Sequence, residues 1–164
     1  MTCDEVISLL HLSPLPVEGG MVRQTYISEA ETNDGRRAGT AIYYLLHGTD
    51  FSHFHKLDGD EVYHFYLGNP VELVELLPDG SVLKTILGPD IGKGNKVQHW
   101  VRSGNYQGSH LLDESPDSWA LLGTTMTPGY YGDCYTHGSR GTLLEKWPAA
   151  SPSILRLTSS GQTG

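Results

Sequence analysis

From Met21 to Met126 the chain is a succession of short runs of β-forming residues, each stopped by a turn. This punctuation constrains the fold more than any single motif. In the clearest case, two apolar-rich runs, Val71–Leu77 and Ser81–Leu87, bracket Pro78-Asp79-Gly80, the signature of a β-hairpin. Met21–Ser28, Thr40–Leu46, Phe51–Lys56, Glu61–Leu67, Val97–Arg102, Tyr106–Leu112 and Trp119–Met126 read as further strands. Asn33-Asp34-Gly35, Asp58-Gly59-Asp60 and Gly68-Asn69-Pro70 mark turns between them. Gly 20 and Pro 9 among 164 residues suit this many turns. Strand starts are closely and regularly spaced, with no long helical run between them. An all-β sandwich or barrel of antiparallel strands is therefore favoured over a βαβ architecture.

The ends read differently. Thr2 and Glu5 form a capping box ahead of Val6, Ile7, Leu9 and Leu10, so a short amphipathic helix is expected, stopped by Pro14 and Pro16. Residues 1–17 are this helix and its lead-in, and 18–148 the single barrel domain. Residues 149–164 are rich in Ser, Thr, Gly and Pro. They read as a flexible tail, whose apolar island Ile154-Leu155-Arg156-Leu157 can dock as a strand on a neighbour.

Lys+Arg 11 against Asp+Glu 19 gives a net charge of -8, which argues against a nucleic-acid partner. No apolar run reaches the roughly 20 residues of a membrane span. Met1–Leu10 carries Asp4 and Glu5 and no basic cluster, unlike a signal peptide. With Cys3 and Cys134 read as free thiols, a cytoplasmic location is expected.

The chemistry concentrates in one segment. His47, His53, His55 and His64 lie close together with Asp60 and Glu61. On a strand, His53 and His55 share a face. With a carboxylate from the next strand they can hold a divalent metal in a facial arrangement that leaves positions open. His64 is three residues from Glu61, so alternation puts those two on opposite faces unless a β-bulge re-aims one. Tyr63 and Phe65 share the Glu61 face as aromatic walls.

The order Gly48, His53-x-His55, Glu61, Gly68 resembles the first motif of the cupins, the double-stranded β-helix proteins, with one residue changed in each of two gaps. The matching second motif, Arg102-Ser103-Gly104-Asn105-Tyr106-Gln107, keeps its glycine. It has Arg102 in place of proline and Gln107 in place of the ligand histidine. A closer resemblance is to a small single-domain cupin family of unknown function. It is carried by Glu18-Gly19-Gly20 with Arg23, Thr25 and Tyr26; by Ala41–Leu46; and by Phe54-His55-Lys56-Leu57 with Asp60–Phe65. Gly104–Gln107, Leu122-Gly123, Thr127-Pro128-Gly129-Tyr130 and Asp133 complete it, with Tyr106 where that family usually has tryptophan.

The resemblance implies a cupin jelly-roll barrel, similar to dTDP-sugar epimerases and germin-like proteins, and a pocket for a small molecule. The expected activity is isomerase or epimerase chemistry on a small polar molecule, a sugar or sugar nucleotide. His55 or His64 is the base, Glu61 or Asp133 steadies it, and Tyr130 is the acid. Arg23 binds an anionic group, and Gln107 is a polar group in the barrel mouth. The alternatives are a metal-dependent cupin holding iron, nickel, manganese or zinc through His53, His55, Glu61 and Gln107, and a non-catalytic small-ligand binder. A homodimer is expected, with Met21–Ser28 the segment available for strand exchange. His11, His99, His110 and His137 read as surface or structurally satisfied histidines, and Trp100, Trp119 and Trp147 as packing residues.

Overall fold

The computed structural model describes residues 1–159. Thr2 caps helix α1 (Cys3–Leu10) as its sequence requires. The Thr2 hydroxyl accepts from the Glu5 N–H at 3.3 Å, and the Glu5 carboxylate accepts from the Thr2 N–H at 2.7 Å. Strands β1 (Ser13–Pro14), β2 (Met21–Ile27), β3 (Thr40–His47), β4 (Phe51–Leu57), β5 (Asp60–Gly68) and β6 (Val71–Leu76) follow. Then come β7 (Val82–Leu87), β8 (Gln98–Val101), β9 (Tyr106–Leu111), β10 (Trp119–Thr127) and β11 (Tyr135–His137). They form two antiparallel sheets, ordered β1-β2-β3-β10-β5-β8 and β11-β4-β9-β6-β7. This is the expected jelly-roll barrel with a short N-terminal helix.

Alternation along the strands sends one face of each sheet inward. Tyr44, Leu46, Tyr63, Phe65, Val71 and Leu73 are among the buried side chains that meet there. Helix α1 covers part of the outer face of the first sheet, where Cys3 and Val6 meet Leu12, Leu45 and Leu121. Both cysteines are free and buried. Trp147 is buried, as its reading as a packing residue requires, but Trp100 is 48% exposed and is not a core residue.

After β11 the chain turns helical, and residues 149–159 depart from the expected flexible tail. Helices α2 (Arg140–Lys146) and α3 (Ser151–Arg156) form there, and Leu143, Trp147, Ile154 and Leu157 are buried against Phe54, Val74 and Leu76 of the second sheet. Composition alone suggested disorder, but Ile154 and Leu157 lie three apart, so a single turn of helix puts both on one face. Each fully buried side chain of this size contributes roughly 1.5–3 kcal/mol, enough to order a short segment. The apolar island is therefore a docked helix and not a strand. Residues 160–164 of the expected tail lie outside the described residues.

Candidate functional site

The pocket opens into the barrel interior between the two sheets, and its polar wall is built by alternation. On β5 the buried positions are Glu61, Tyr63 and Phe65, while Val62 and His64 lie between them on the other face. Glu61 and Tyr63 line the pocket together with His55, Thr124, Tyr130 and Glu18. Phe65 is packed in the core below. Val22, Ile42, Leu57 and Met126 supply an apolar surround to a cavity of about 130 Å³.

His55, Gln107 and Glu61 form the centre. The His55 ring places Nδ1 2.8 Å from the His53 carbonyl. A carbonyl only accepts, so Nδ1 carries the proton and a neutral ring keeps its lone pair on Nε2. Gln107, on β9 beside β4, donates from Nε2 to Glu61 Oε2 at 2.6 Å and lies 3.5 Å from His55 Nε2. Tyr135, across from β4 on β11, stacks on the imidazole with ring centroids 5.0 Å apart. Burial pushes the Glu61 carboxyl above the usual carboxylate range. The neighbouring His55 and hydrogen bonds from Thr124 and Gln107 draw it partly back. Burial likewise pushes the Tyr63 and Tyr135 phenols well up, so both stay protonated near neutrality.

Several expected site residues lie elsewhere. The pairing of β5 with β8 runs without a break from Glu61 to His64, so no bulge rescues His64. Its ring contacts Gln98 and Thr125 and stacks on Tyr66, away from the pocket. Strand parity therefore overrides the resemblance at this position. Arg23 is exposed and donates to the Leu10 carbonyl at 3.1 Å, holding the end of α1 instead of an anionic ligand. Asp133 is exposed on the turn Gly132–Cys134 and does not line the pocket.

His53 is the most instructive departure. The pairing of β4 with β9 shifts between Ser52 and His55, and all four residues from Ser52 to His55 are buried, so the expected shared face is lost. At this irregularity the His53 N–H donates to the Glu18 carbonyl and the Phe54 N–H to the Leu157 carbonyl. The His53 ring donates from Nδ1 to the Phe54 carbonyl at 3.0 Å and accepts the Ser159 N–H on Nε2 at 3.1 Å. It stacks on His137 with centroids 3.8 Å apart. Both nitrogens are thus occupied outside the central pocket. Among the described residues, no three His, Cys, Asp or Glu side chains converge as a metal centre needs. The donor set expected from His53, His55, Glu61 and Gln107 does not fit a divalent ion, because His53 is turned away and Gln107 presents its N–H to Glu61.

The structure adds two residues to the site, Glu18 and Tyr135. Glu18 reaches the pocket because the chain approaches the barrel unusually closely behind it. Gly19 has φ +98°, and a Cβ there would stand 2.4 Å from the Phe51 carbonyl oxygen. The Glu18 carboxylate accepts from the Ser52 hydroxyl at 3.1 Å. The Gly19-Gly20 pair was the available signal for this approach. Tyr135 carried none.

The family model for the Cupin superfamily (DUF985) matches residues 4–136. The chain belongs to this family. Its fold agrees: this cupin is 30% identical to the crystal structure of protein SO0799 from Shewanella oneidensis, covering 97% of this chain and 98% of that one, with a TM-score of 0.90. A hypothetical protein from Leishmania major is 24% identical over 98% of this cupin and 100% of that chain, with a TM-score of 0.89. Oxalate decarboxylase from Bacillus subtilis shares the fold alone: 10% identity and a TM-score of 0.57, over 89% of this cupin and 37% of that chain. No curated protein matches the sequence. Among the described residues, no helix is long and apolar enough to cross a membrane.

Proposed function

We propose that this cupin is an enzyme of the isomerase or epimerase type, in which His55 takes a proton from a small bound molecule. The observation that carries this reading is the fixed tautomer of His55. Its Nδ1–H is held by the His53 carbonyl at 2.8 Å, and its basic Nε2 lies next to the Gln107 amide that Glu61 grips at 2.6 Å. Imidazole is a common general base in enzymes, and the neighbouring Glu61 has its carboxyl raised above the ordinary value by burial. Tyr130, in the pocket wall with its backbone N–H anchored on the Thr40 hydroxyl at 2.9 Å, is the candidate acid. A sugar nucleotide is not favoured as substrate, because Arg23 lies outside the pocket. The oxalate acted on by the structurally similar decarboxylases is not favoured either, because among the described residues no Lys or Arg lines the wall.

The test is solvent deuterium incorporation. Small ketones and aldehydes, in neutral, amino-substituted and acidic forms, are incubated with the protein in D2O and followed by NMR. Wild type and His64→Gln are expected to exchange a carbon-bound proton, and His55→Gln to lose that exchange. Saturable binding with every compound recovered undeuterated would instead favour a non-catalytic binder.

We also propose a homodimer. Among the described residues, only the two of β1 pair along the outer edge of β2, and Tyr26 and Ile27 are 54% and 51% exposed there. An open edge of this kind invites a second strand. Light scattering is expected to return twice the chain mass, and a monomer at micromolar concentration would contradict it.

A further inference from the structure

We infer that the molecule bound in this pocket is a small organic cation, a protonated amine on an apolar body, with the Glu18 carboxylate as its counter-charge. This rests on reading the pocket as a small-molecule site, and it specifies the ligand's class.

The lining carries formal charge of one sign. Glu18 and Glu61 both face the pocket, and among the described residues no Lys or Arg does. The nearby cations are engaged elsewhere: Arg23 on the Leu10 carbonyl, Arg36 on Asp58, Lys56 over the Tyr106 ring and Arg102 over the Trp100 ring. Glu18 also lines a second, more open cavity beside the first, where among the described residues Asp50 and His53 are the other titratable groups and no Lys or Arg is present. An anionic ligand would therefore lose its hydration against a wall of its own sign.

The two carboxylates are not equivalent. Glu61 is buried, and Gln107 and Thr124 already bond to it. Glu18 is only half-buried and accepts a single hydroxyl, from Ser52. Among the described residues it makes no ion pair. Burial is the main cause that pushes up the Tyr44, Tyr63, Tyr130 and Tyr135 phenols and the Glu61 carboxyl, and the Glu18 charge adds to it in each case. A cation beside Glu18 would offset that field. Tyr44, Tyr63 and Tyr130 line the same space with aromatic rings, which attract cations. Val22, Ile42, Leu57 and Met126 suit an apolar body.

The test compares probes of matched shape. Benzylamine and its shorter and longer primary-amine homologues are titrated by calorimetry against benzyl alcohol and benzoate at neutral pH. The amines are expected to bind saturably and at least tenfold tighter than the alcohol, with benzoate weakest. Glu18→Gln should remove that preference, Glu18→Asp should keep it, and added salt should weaken it. Equal or tighter binding of benzoate, no saturable binding of any amine at millimolar concentration, or an unchanged preference in a folded Glu18→Gln protein would overturn the inference. His55→Gln separates the two readings: it should lose deuterium incorporation and keep amine binding. Amine preference without deuterium incorporation in wild type would overturn proton transfer and leave the cation site. Deuterium incorporation with no amine preference would do the reverse.

Discussion

Gln107 donates its amide to Glu61 at 2.6 Å, at the position where the second cupin motif carries a histidine. The consequence is a pocket with one imidazole, His55, and a carboxylate gripped by a group that does not titrate. Gln107 is 1% exposed, and its Oε1 has no hydrogen-bond partner among the described residues. The amide is thus held through its nitrogen, by Glu61 and by His55.

Gln107→His should therefore supply the missing ligand. With His55 and Glu61 already adjacent, the substitution is expected to raise affinity for Mn2+ or Zn2+ at least tenfold over wild type, read by calorimetry. Unchanged affinity in a folded variant would mean that these side chains do not converge as described.

The raised Glu61 carboxyl makes stability depend on pH in a defined direction. A carboxyl that holds its proton more tightly when folded favours the native state at low pH. That advantage is lost as pH rises from the ordinary glutamate value of about 4.3 through the raised one. Glu61→Gln removes this loss. Its melting temperature relative to wild type should climb between pH about 4 and neutrality. A difference that stays flat with pH would contradict the burial argument.

His53 titrates in the opposite sense. Burial lowers its pKa, so its stabilising effect is fully present above the unfolded value of about 6.5 and is lost as pH falls through the folded one. Protonated Nε2 cannot accept the Ser159 N–H. Acidification should therefore speed amide exchange at Leu157–Ser159, after correction for intrinsic rates, while β4 stays protected. Unchanged protection at pH about 5 would count against it.

The C-terminal helices carry a stability prediction. Ile154 is fully buried among Phe54, Val74 and Leu143. Ile154→Ala should cost about 2–5 kcal/mol in urea unfolding. A loss near zero would restore the flexible-tail reading.

These outcomes mark where sequence reasoning holds and where it stops. The strands from β2 to β10 were legible because alternation and turn residues are local signals. Tyr63 and Glu61 on one face, with His64 on the other, follow from the same rule, and the structure obeys it. The displacement of His53 was not legible. It comes from the register shift in β4, which depends on contacts with Glu18 and Leu157 from both ends of the chain. The place of Glu18 in the pocket depends on how the turn between β1 and β2 meets the barrel, and α3 on apolar partners supplied by the second sheet.

The central claim is that His55 presents an unprotonated Nε2 to the pocket. The most direct measurement is 15N NMR of the histidine side chains at pH about 7.5, assigned with His55→Gln. The account predicts that His55 carries its proton on Nδ1 and leaves Nε2 without one. A ring protonated at Nε2 would contradict it.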